Sequence, residues 1–315
     1  MPLEHISQIS DLSIRLHAYY HAVMGQIPFI LFGAGPIAAE ALSEMEQRGV
    51  VPELIVSLPD APAGRGHILA STPVAQFASE HNIETWKPEK LDHTFLASLQ
   101  ATSNKLQAPL FVVIDYGKFL PKQLLDIPPR GVLNMHPSLL PRLRGPSPIR
   151  SAILTDEKKI GVSVMLVDEE MDHGPIVAQK VISIADWPLR GLELDTRLAR
   201  EGGKLLADII GPWARGEIDA REQNHDLATY THQFKKEDGL LDLRADPYQN
   251  LLKIRAFQGW PGTYTFFVRD EKRIRVQIID AHIVNDKLII DTVKPEGKTE
   301  MNFKDFERTG AKPVH

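Results

Sequence analysis

From residue 27 the chain alternates short apolar, β-rich runs with helix-like stretches: PFILFGAG is followed by IAAEALSEMEQRG and then by PELIVSLPD. Alternation of this kind implies parallel strands joined by crossover helices, and so an open, mostly parallel, Rossmann-like α/β sheet. The pattern resumes with a helix at TPVAQFASEHN, a buried strand at PLFVVIDYG and a short helix at PKQLLDIP. Strands at GVLNMHPS and IGVSVMLVDEEMDHG follow, separated by a helix near PSPIRSAILTD, and the helical ELDTRLAREGGKLLADIIGPWARG closes the region.

A chain of 315 residues exceeds what one hydrophobic core usually serves, which predicts two domains. The α/β domain is assigned to residues 26–213, and the polar, irregular stretch 214–230 reads as a linker. Over 231–315 the register changes: a helix around DPYQNLLKIRAF precedes strands at TYTFFVR, KRIRVQIIDAHIV and KLIIDTVKPEG, spaced like a small antiparallel, OB-like β-barrel. Residues 1–25 carry early acidic residues and no continuous apolar core, so an N-terminal helical extension is expected rather than a secretory signal.

The net charge of −5 gives no overall attraction to phosphate backbones or anionic membranes, so any nucleic-acid contact must be local. The absence of cysteine excludes disulfides, thiolate metal sites and a cysteine nucleophile, and fits a cytoplasmic setting. Runs such as IPFILFGAG and APLFVVI are too short to span a bilayer.

Two places could carry chemistry. Gly33-x-Gly35-x-x-Ala38 follows the first strand and opens a helix, with Asp60 further on, which is the outline of a dinucleotide fingerprint. Pro36 sits in that turn and Asp60 in a Pro-Asp-Ala-Pro loop, so the glycines are equally explained by a tight strand-to-helix turn. The second place is GVLNMHPSLLPRLRGPSPIR. On a strand, Asn134 and His136 point to one face at its carboxyl end, where open α/β sheets bind ligands. Asp172, at the end of the next predicted strand, could join them. An amide donor, an imidazole and a carboxylate without a nucleophile suit attack by an external nucleophile on a carbonyl, Asn and His holding the oxyanion and Asp assisting proton removal. Read alone, Asn-x-His is also a turn-capping pair. His136, Asp172 and His173 could instead hold a metal, and Arg142, Arg144 and Arg150 could be a solvated loop face.

The run from Asn134 to Gly145, followed by Met171-Asp172-His-Gly174, resembles the signature of the folate-dependent formyltransferase family, in which Asn, His and Asp form the catalytic trio. The loop Pro59-Asp-Ala-Pro-Ala-Gly-Arg65-Gly66, the segment Tyr116 to Pro121, and Ile254-Arg255-Ala-Phe257-x-x-Trp260-Pro261 look like the methionyl-tRNA branch of that family. The resemblance covers essentially residues 27 to 310. It implies formyl transfer from 10-formyltetrahydrofolate to initiator methionyl-tRNA by a monomer that requires no metal. Asn134 and His136 would polarise the formyl group, and Asp172 would position the His and help deprotonate the amine. The resemblance makes Ser138, Leu139, Leu140 and Pro141 folate contacts, with Tyr116, Gly117, Leu120, Val167 and Met171 as walls of the pterin cleft, and it directs Arg65 toward the tRNA. Three positions depart from the pattern: His67-Ile68-Leu69 stands where many relatives have lysines, Asp115 where a small apolar residue is common, and Pro36 in the glycine turn.

Between Lys253 and Arg275 lie six basic residues and two acidic ones, a local +4 that includes Lys253, Arg255, Arg273 and Arg275 and is interleaved with Phe257, Trp260, Tyr264, Phe266 and Phe267. With Arg144, these cations are the expected tRNA contacts; the same pattern also describes a barrel core with a solvated face. Two other functions fit the chain: a formyltransferase of the same family acting on an amino sugar or other small amine, and a nucleotide-binding oxidoreductase or regulatory module using Gly33 and Gly35.

Overall fold

The computed structural model describes residues 26–63 and 68–314. The predicted N-terminal helix over 1–25 lies outside them, as do Arg65 and Gly66. In chain order the elements are β1 (Phe29–Gly33), α1 (Pro36–Glu46), β2 (Leu54–Val56), β3 (Ala61–Ala63), β4 (Ile68–Ala70), α2 (Pro73–Glu80), β5 (Glu84–Trp86), α3 (His93–Leu106), β6 (Leu110–Ile114), α4 (Lys122–Leu125) and β7 (Val132–His136). There follow α5 (Pro148–Leu154), β8 (Ile160–Leu166), β9 (Ile176–Ile182), α6 (Gly191–Ala214), α7 (Pro247–Ala256), β10 (Thr263–Arg269), β11 (Lys272–Val284), β12 (Lys287–Pro295), β13 (Met301–Asn302), α8 (Phe303–Glu307) and β14 (Lys312–Pro313). No helix among the described residues is long and apolar enough to cross a membrane.

The contacts divide the chain into two compact units. One comprises the described residues of Met1–Leu140, Val162–Lys180 and Ala199–His225, the other those of Pro141–Gly161, Val181–Leu198 and Asp226–His315.

The first unit is built on a seven-stranded sheet in the order β5-β2-β1-β6-β7-β8-β9. Strands β5, β2, β1, β6 and β7 run parallel, and β8 runs antiparallel to β7. The sheet is therefore mixed but mostly parallel, and β1 and β6 flank its topological switch point. Every residue of β1 is buried, because alternate side chains feed two different cores. Phe29 and Leu31 pack with Val112, Leu133 and Met135 of the sheet, Ala38, Leu42 and Met45 of α1, and Leu206 and Ile210 of α6. Ile30 and Phe32 face the other way, with Phe111, Val132, Leu99 of α3 and Tyr116. Each fully buried Phe or Leu contributes about 2 kcal/mol of transfer free energy, so a polar residue inside these strands would be costly.

Local chemistry sets the element ends. The side chains of Thr72 and Asp92 accept hydrogen bonds from the Ala75 and Phe95 amides at 3.1 Å, capping α2 and α3, and Pro73 preorganises the first turn of α2. At the far end of α6, Arg130 donates to the Trp213 carbonyl at 2.9 and 2.6 Å while the Trp213 indole donates to the Arg130 carbonyl at 2.9 Å. This reciprocal lock fastens the approach to β7 onto the last turn of α6.

The structure departs from the sequence reading at several elements, among them β8, α3, β5 and β9. β8 ends at Leu166, so Asp172 lies in the turn beyond the strand and not at its tip. α3 was not foreseen because its sequence, HTFLASLQATSNKL, buries little beyond Leu99 and Ser103 and shows a weak apolar face. The short β5 and the edge strand β9, with its irregular burial, carry equally little signal.

In the second unit β10 to β14 form a five-stranded antiparallel sheet in the order β13-β12-β11-β10-β14. Its two hairpins turn on Asp270-Glu271 and Asn285-Asp286, all four at positive φ, the geometry of tight two-residue turns that match strand twist. Asp246 caps α7 by accepting from the Gln249 amide at 2.8 Å.

Glu201 on α6 accepts hydrogen bonds from Lys180 at 2.7 Å and Lys204 at 3.0 Å. The Lys180 ammonium, seconded by Lys204, holds its carboxyl below the usual range against a smaller opposing effect of burial. A carboxyl lowered by folding stabilises the fold above its unfolded value of about 4.3 and loses that contribution as pH falls through the lowered folded value. Glu201→Gln should therefore lower Tm by about 1–4 °C at neutral pH, the gap closing below about pH 4, as followed by circular dichroism.

Candidate active site

Pairing on both sides fixes β7: Asn134 lies opposite Val113 of β6 and opposite Met165 of β8, and His136 opposite Ser163. Asn134 and His136 therefore share one face at the carboxyl end of a central strand, the half-buried Asn ahead of the buried His. The Asn134 amide donates to Asp172 Oδ1 at 3.4 Å, and His136 Nδ1 lies 3.6 Å from Asp172 Oδ2. One carboxylate thus faces both an amide and an imidazole, with the His136 and Asp172 side chains little exposed. Ser138 nearby is buried, and the Ser163 hydroxyl is committed to the loop, donating to the Ser138 carbonyl at 2.7 Å while accepting from the Leu140 amide at 3.0 Å.

Asp172 reaches its partners from a turn in which it takes a left-handed conformation, φ +50°. Gly174 lets the turn pass the end of β8, since a Cβ there would stand 2.1 Å from the Leu166 carbonyl oxygen. Beyond it the Leu166 amide donates to the Pro175 carbonyl at 2.9 Å. His173 points away from the cluster. Its Nδ1 lies 2.7 Å from Asp168 Oδ2, and its ring stacks on His225 at 4.1 Å. It does not join His136 and Asp172 as the metal-site reading required, and no group of three His, Cys, Asp or Glu among the described residues is placed to hold a metal ion.

The expected folate contacts are spread unevenly. Leu139 is half-buried, and Leu140 is buried against Met165 and Ile176. Gln179 holds this loop, donating to the Leu140 carbonyl at 2.8 Å and to Ser163 Oγ at 2.9 Å. Pro141 belongs to the second unit, where its carbonyl accepts from the Thr229 amide at 3.4 Å. Gly117 is at φ +76° and exposed, Val167 packs on the core containing Leu120, and Met171 is 64% exposed. Tyr116 is not a wall of an open cleft. It is 2% exposed, set edge-on against Phe32, and its hydroxyl has no hydrogen-bond partner among the described residues. Sequence reasoning missed Phe119, 74% exposed in the same segment, and the two glutamines Gln179 and Gln223, which no motif distinguishes from surface polar residues.

The glycine turn is occupied in a way that disfavours a dinucleotide. The amides of Ala34 and Gly35 donate to the Asp115 carbonyl at 3.2 and 3.1 Å, and a Cβ on Gly35 would lie 1.7 Å from Asp115 Oδ2. Asp115, at φ +46°, thus sets its carboxylate at the amino end of α1, where negative charge favours the helix and repels a pyrophosphate. Asp60, the candidate ribose partner, is engaged by Lys87 at 2.5 Å and Ser71 at 3.0 Å, contacts that lower its carboxyl below the usual range.

The profile of the formyl transferase family, described as "Formyl transferase", matches residues 26–210. The chain belongs to the formyl transferase family. The methionyl-tRNA formyltransferase of Chloroflexus aurantiacus is 42% identical over 247 residues, covering 78% of each chain. That of Thermodesulfovibrio yellowstonii is 33% identical over 296 residues, covering 88% of this chain and 94% of the relative. Among solved structures of similar fold, the methionyl-tRNA formyltransferase from Clostridium thermocellum has a TM-score of 0.54 at 15% identity, covering 86% of this chain and 99% of that one. A Helicobacter canadensis N-formyltransferase in complex with folinic acid and dTDP-3-aminofucose has a TM-score of 0.59 at 17% identity, covering 82% and 89%.

In this member of the formyl transferase family the cations expected to meet RNA divide into two sets. Arg144 is buried, with its guanidinium over the Tyr230 ring at 6.0 Å and its amide donating to the Thr229 carbonyl at 2.8 Å, so it lacks the exposure a phosphate contact needs. Lys253 donates to the Leu240 carbonyl at 2.7 Å, and burial lowers its ammonium from the usual range. Arg255 pairs with Asp280 at 3.4 Å. These three serve the fold. Arg273 and Arg275 are exposed on the sheet, their guanidinium groups 3.7 Å and 3.8 Å from the rings of Phe266 and Tyr264.

Burial pushes the Tyr116 hydroxyl up to about 12. Because that hydroxyl is buried and unpartnered, Tyr116→Phe should leave Tm unchanged or raised by a degree or so, and change the KM for a folate donor by less than about twofold. Thermal unfolding and steady-state kinetics on the purified variant check both.

Proposed function

We propose that the chain transfers the formyl group of 10-formyltetrahydrofolate to the α-amino group of methionyl-tRNA, giving formylmethionyl-tRNA for initiation in the cytoplasm. The observation that carries the reading is the convergence of Asn134, His136 and Asp172 at the carboxyl end of β7, in a chain closely similar to methionyl-tRNA formyltransferases over most of its length. Residues 26–213 act as the catalytic domain and 231–315 as the tRNA-binding domain, an OB-like barrel, with 214–230 between them, of which Arg221 and Gln223 pack in the first unit, and the enzyme works as a monomer.

The reaction forms a bond from the amine nitrogen to the formyl carbon and breaks the bond from that carbon to N10 of the folate. An amine proton leaves as the new bond forms, and N10 acquires a proton as the old bond breaks. Two side chains serve the oxygen and one serves the protons. The Asn134 amide has one hydrogen directed at Asp172 and a second for the formyl oxygen, and the His136 ring, whose Nδ1 lies against Asp172, presents Nε2 to the same oxygen. Donors already aimed where negative charge develops stabilise the tetrahedral intermediate more than the ground state. Asp172 keeps the imidazole oriented, receives the amine proton and returns it to N10 as the bond to the folate breaks. The loop Ser138–Leu140, held by Gln179, and the exposed Gly117 and Met171 serve the folate. Asn134→Ala and His136→Ala should each lower kcat about 100-fold or more with the donor still bound, read by formylation of charged initiator tRNA beside an amino-sugar acceptor. Normal turnover in either variant contradicts the roles, and turnover of the amino sugar alone contradicts the acceptor.

The stacks of Arg273 on Phe266 and Arg275 on Tyr264 support a tRNA-facing surface on the C-terminal sheet. Arg273→Ala and Arg275→Ala should raise the KM for tRNA several-fold at unchanged donor KM and lower the slope of log affinity against log salt by about one each. Lys253→Ala should act through stability instead. Equal effects on both substrates remove the sheet from tRNA binding.

A further inference from the structure

Asp172 must stand within reach of both Asn134 and His136, yet it lies beyond the end of β8, inside a turn whose ends are tied by the Leu166 amide donating to the Pro175 carbonyl. Within it, the carbonyls on either side of His173 are held by a side chain from a distant segment. Gln223 is 5% exposed, and its amide nitrogen donates to the Asp172 carbonyl at 2.9 Å and to the Gly174 carbonyl at 2.8 Å. A single NH2 group thereby reaches the two carbonyls flanking His173 at hydrogen-bonding distance, with Met165 Sδ a longer 3.9 Å from the same nitrogen. Gln223 is itself anchored, because Arg221 pairs with Ile176 through reciprocal backbone hydrogen bonds of 2.8 and 2.7 Å at the edge of the sheet.

We propose that Gln223 is a positioning residue for Asp172, an inference that rests on the formyl-transfer reading above. A primary amide is the one uncharged side-chain group that offers two hydrogens from one atom, so it can fix two carbonyls separated by a single residue. With those carbonyls fixed and Gly174 pressed against Leu166, the Cα of Asp172 and the direction of its side chain follow. These two contacts of Gln223 are to the main chain, and the Asp172 carboxylate faces Asn134 and His136. Buried carbonyls deprived of these donors would seek others, and the turn would relax by the fraction of an ångström that proton transfer and orientation do not tolerate.

The test compares the wild type with Gln223→Leu and Gln223→Glu, in the full chain, by three measurements. Gln223→Leu should lower kcat about 10- to 100-fold, with the KM values for donor and methionyl-tRNA within about twofold of wild type. Gln223→Glu should be as slow at about pH 8, where a carboxylate faces two carbonyl oxygens, and should gain relative to wild type toward about pH 6 as a protonated carboxyl restores one donor. Amide hydrogen exchange should speed up across residues 168–175 in Gln223→Leu while β1 and β6 stay protected. Wild-type kcat in Gln223→Leu, or a Gln223→Glu to wild-type ratio flat with pH, overturns the proposal, and the second result decides if the leucine variant does not fold. If the wild type itself forms no formylmethionyl-tRNA, the functional reading fails, and unaltered exchange across the turn then overturns the positioning role on its own.

Discussion

The register of β7 between its neighbours is the constraint on which the site depends. With Val113 on one side and Met165 on the other, Asn134 and His136 face the same side of the sheet as Val132 and Phe111, while Leu133 and Met135 enter the core beneath α1 and α6. Side chains on a strand alternate with a period of two, so a slip of one residue would bury the amide and imidazole among aliphatic side chains and expose Leu133 and Met135. The hydrophobic alternation that makes the sheet stable is therefore the same property that aims the two polar groups.

Around that strand end, precision comes from hydrogen bonds to turns. Gln179 gathers the Ser138–Leu140 loop through Ser163, and Gln223 gathers the Asp172 turn, both from segments that follow in sequence and return to the sheet edge. Neutral amides suit this work, because they satisfy carbonyls without placing a second charge beside a carboxylate that must handle protons. At the glycine turn, Asp115 does the opposite. It brings a negative charge to the amino end of α1 and so gives a Rossmann-like turn a structural use in place of a phosphate-binding one.

The basic segment of the second unit shows how charge in a sequence separates once side chains find partners. Lys253 and Arg255 lie on α7, whose inner face packs on the sheet, and they are drawn to a carbonyl and to Asp280. Arg273 and Arg275 lie on the outward positions of β11, opposite Val268 and Phe266, reach diagonally over the rings of Phe266 and Tyr264, and remain exposed. A local +4 identifies the region, and only strand parity identifies the cations that face solvent.

Much of this was legible in the linear chain. The apolar runs of β1 and β6, the paired spacing of Asn134 and His136, and the motif through Asp172 follow from residue type and interval, because they rest on local periodicity and on the resemblance those residues carry. The antiparallel course of β8, the weakly apolar α3, the inward turn of Tyr116 and Arg144, and the diversion of His173 to Asp168 rest on contacts between segments far apart in sequence. Gln223 belongs with these: nothing beside it in the sequence sets it apart, and it gains its place because the chain returns at Arg221 to pair with Ile176. The sequence by itself determined which groups could perform the chemistry. The tertiary structure decided their separation, since an atom-to-atom distance across a turn depends on backbone pairing that no local pattern encodes.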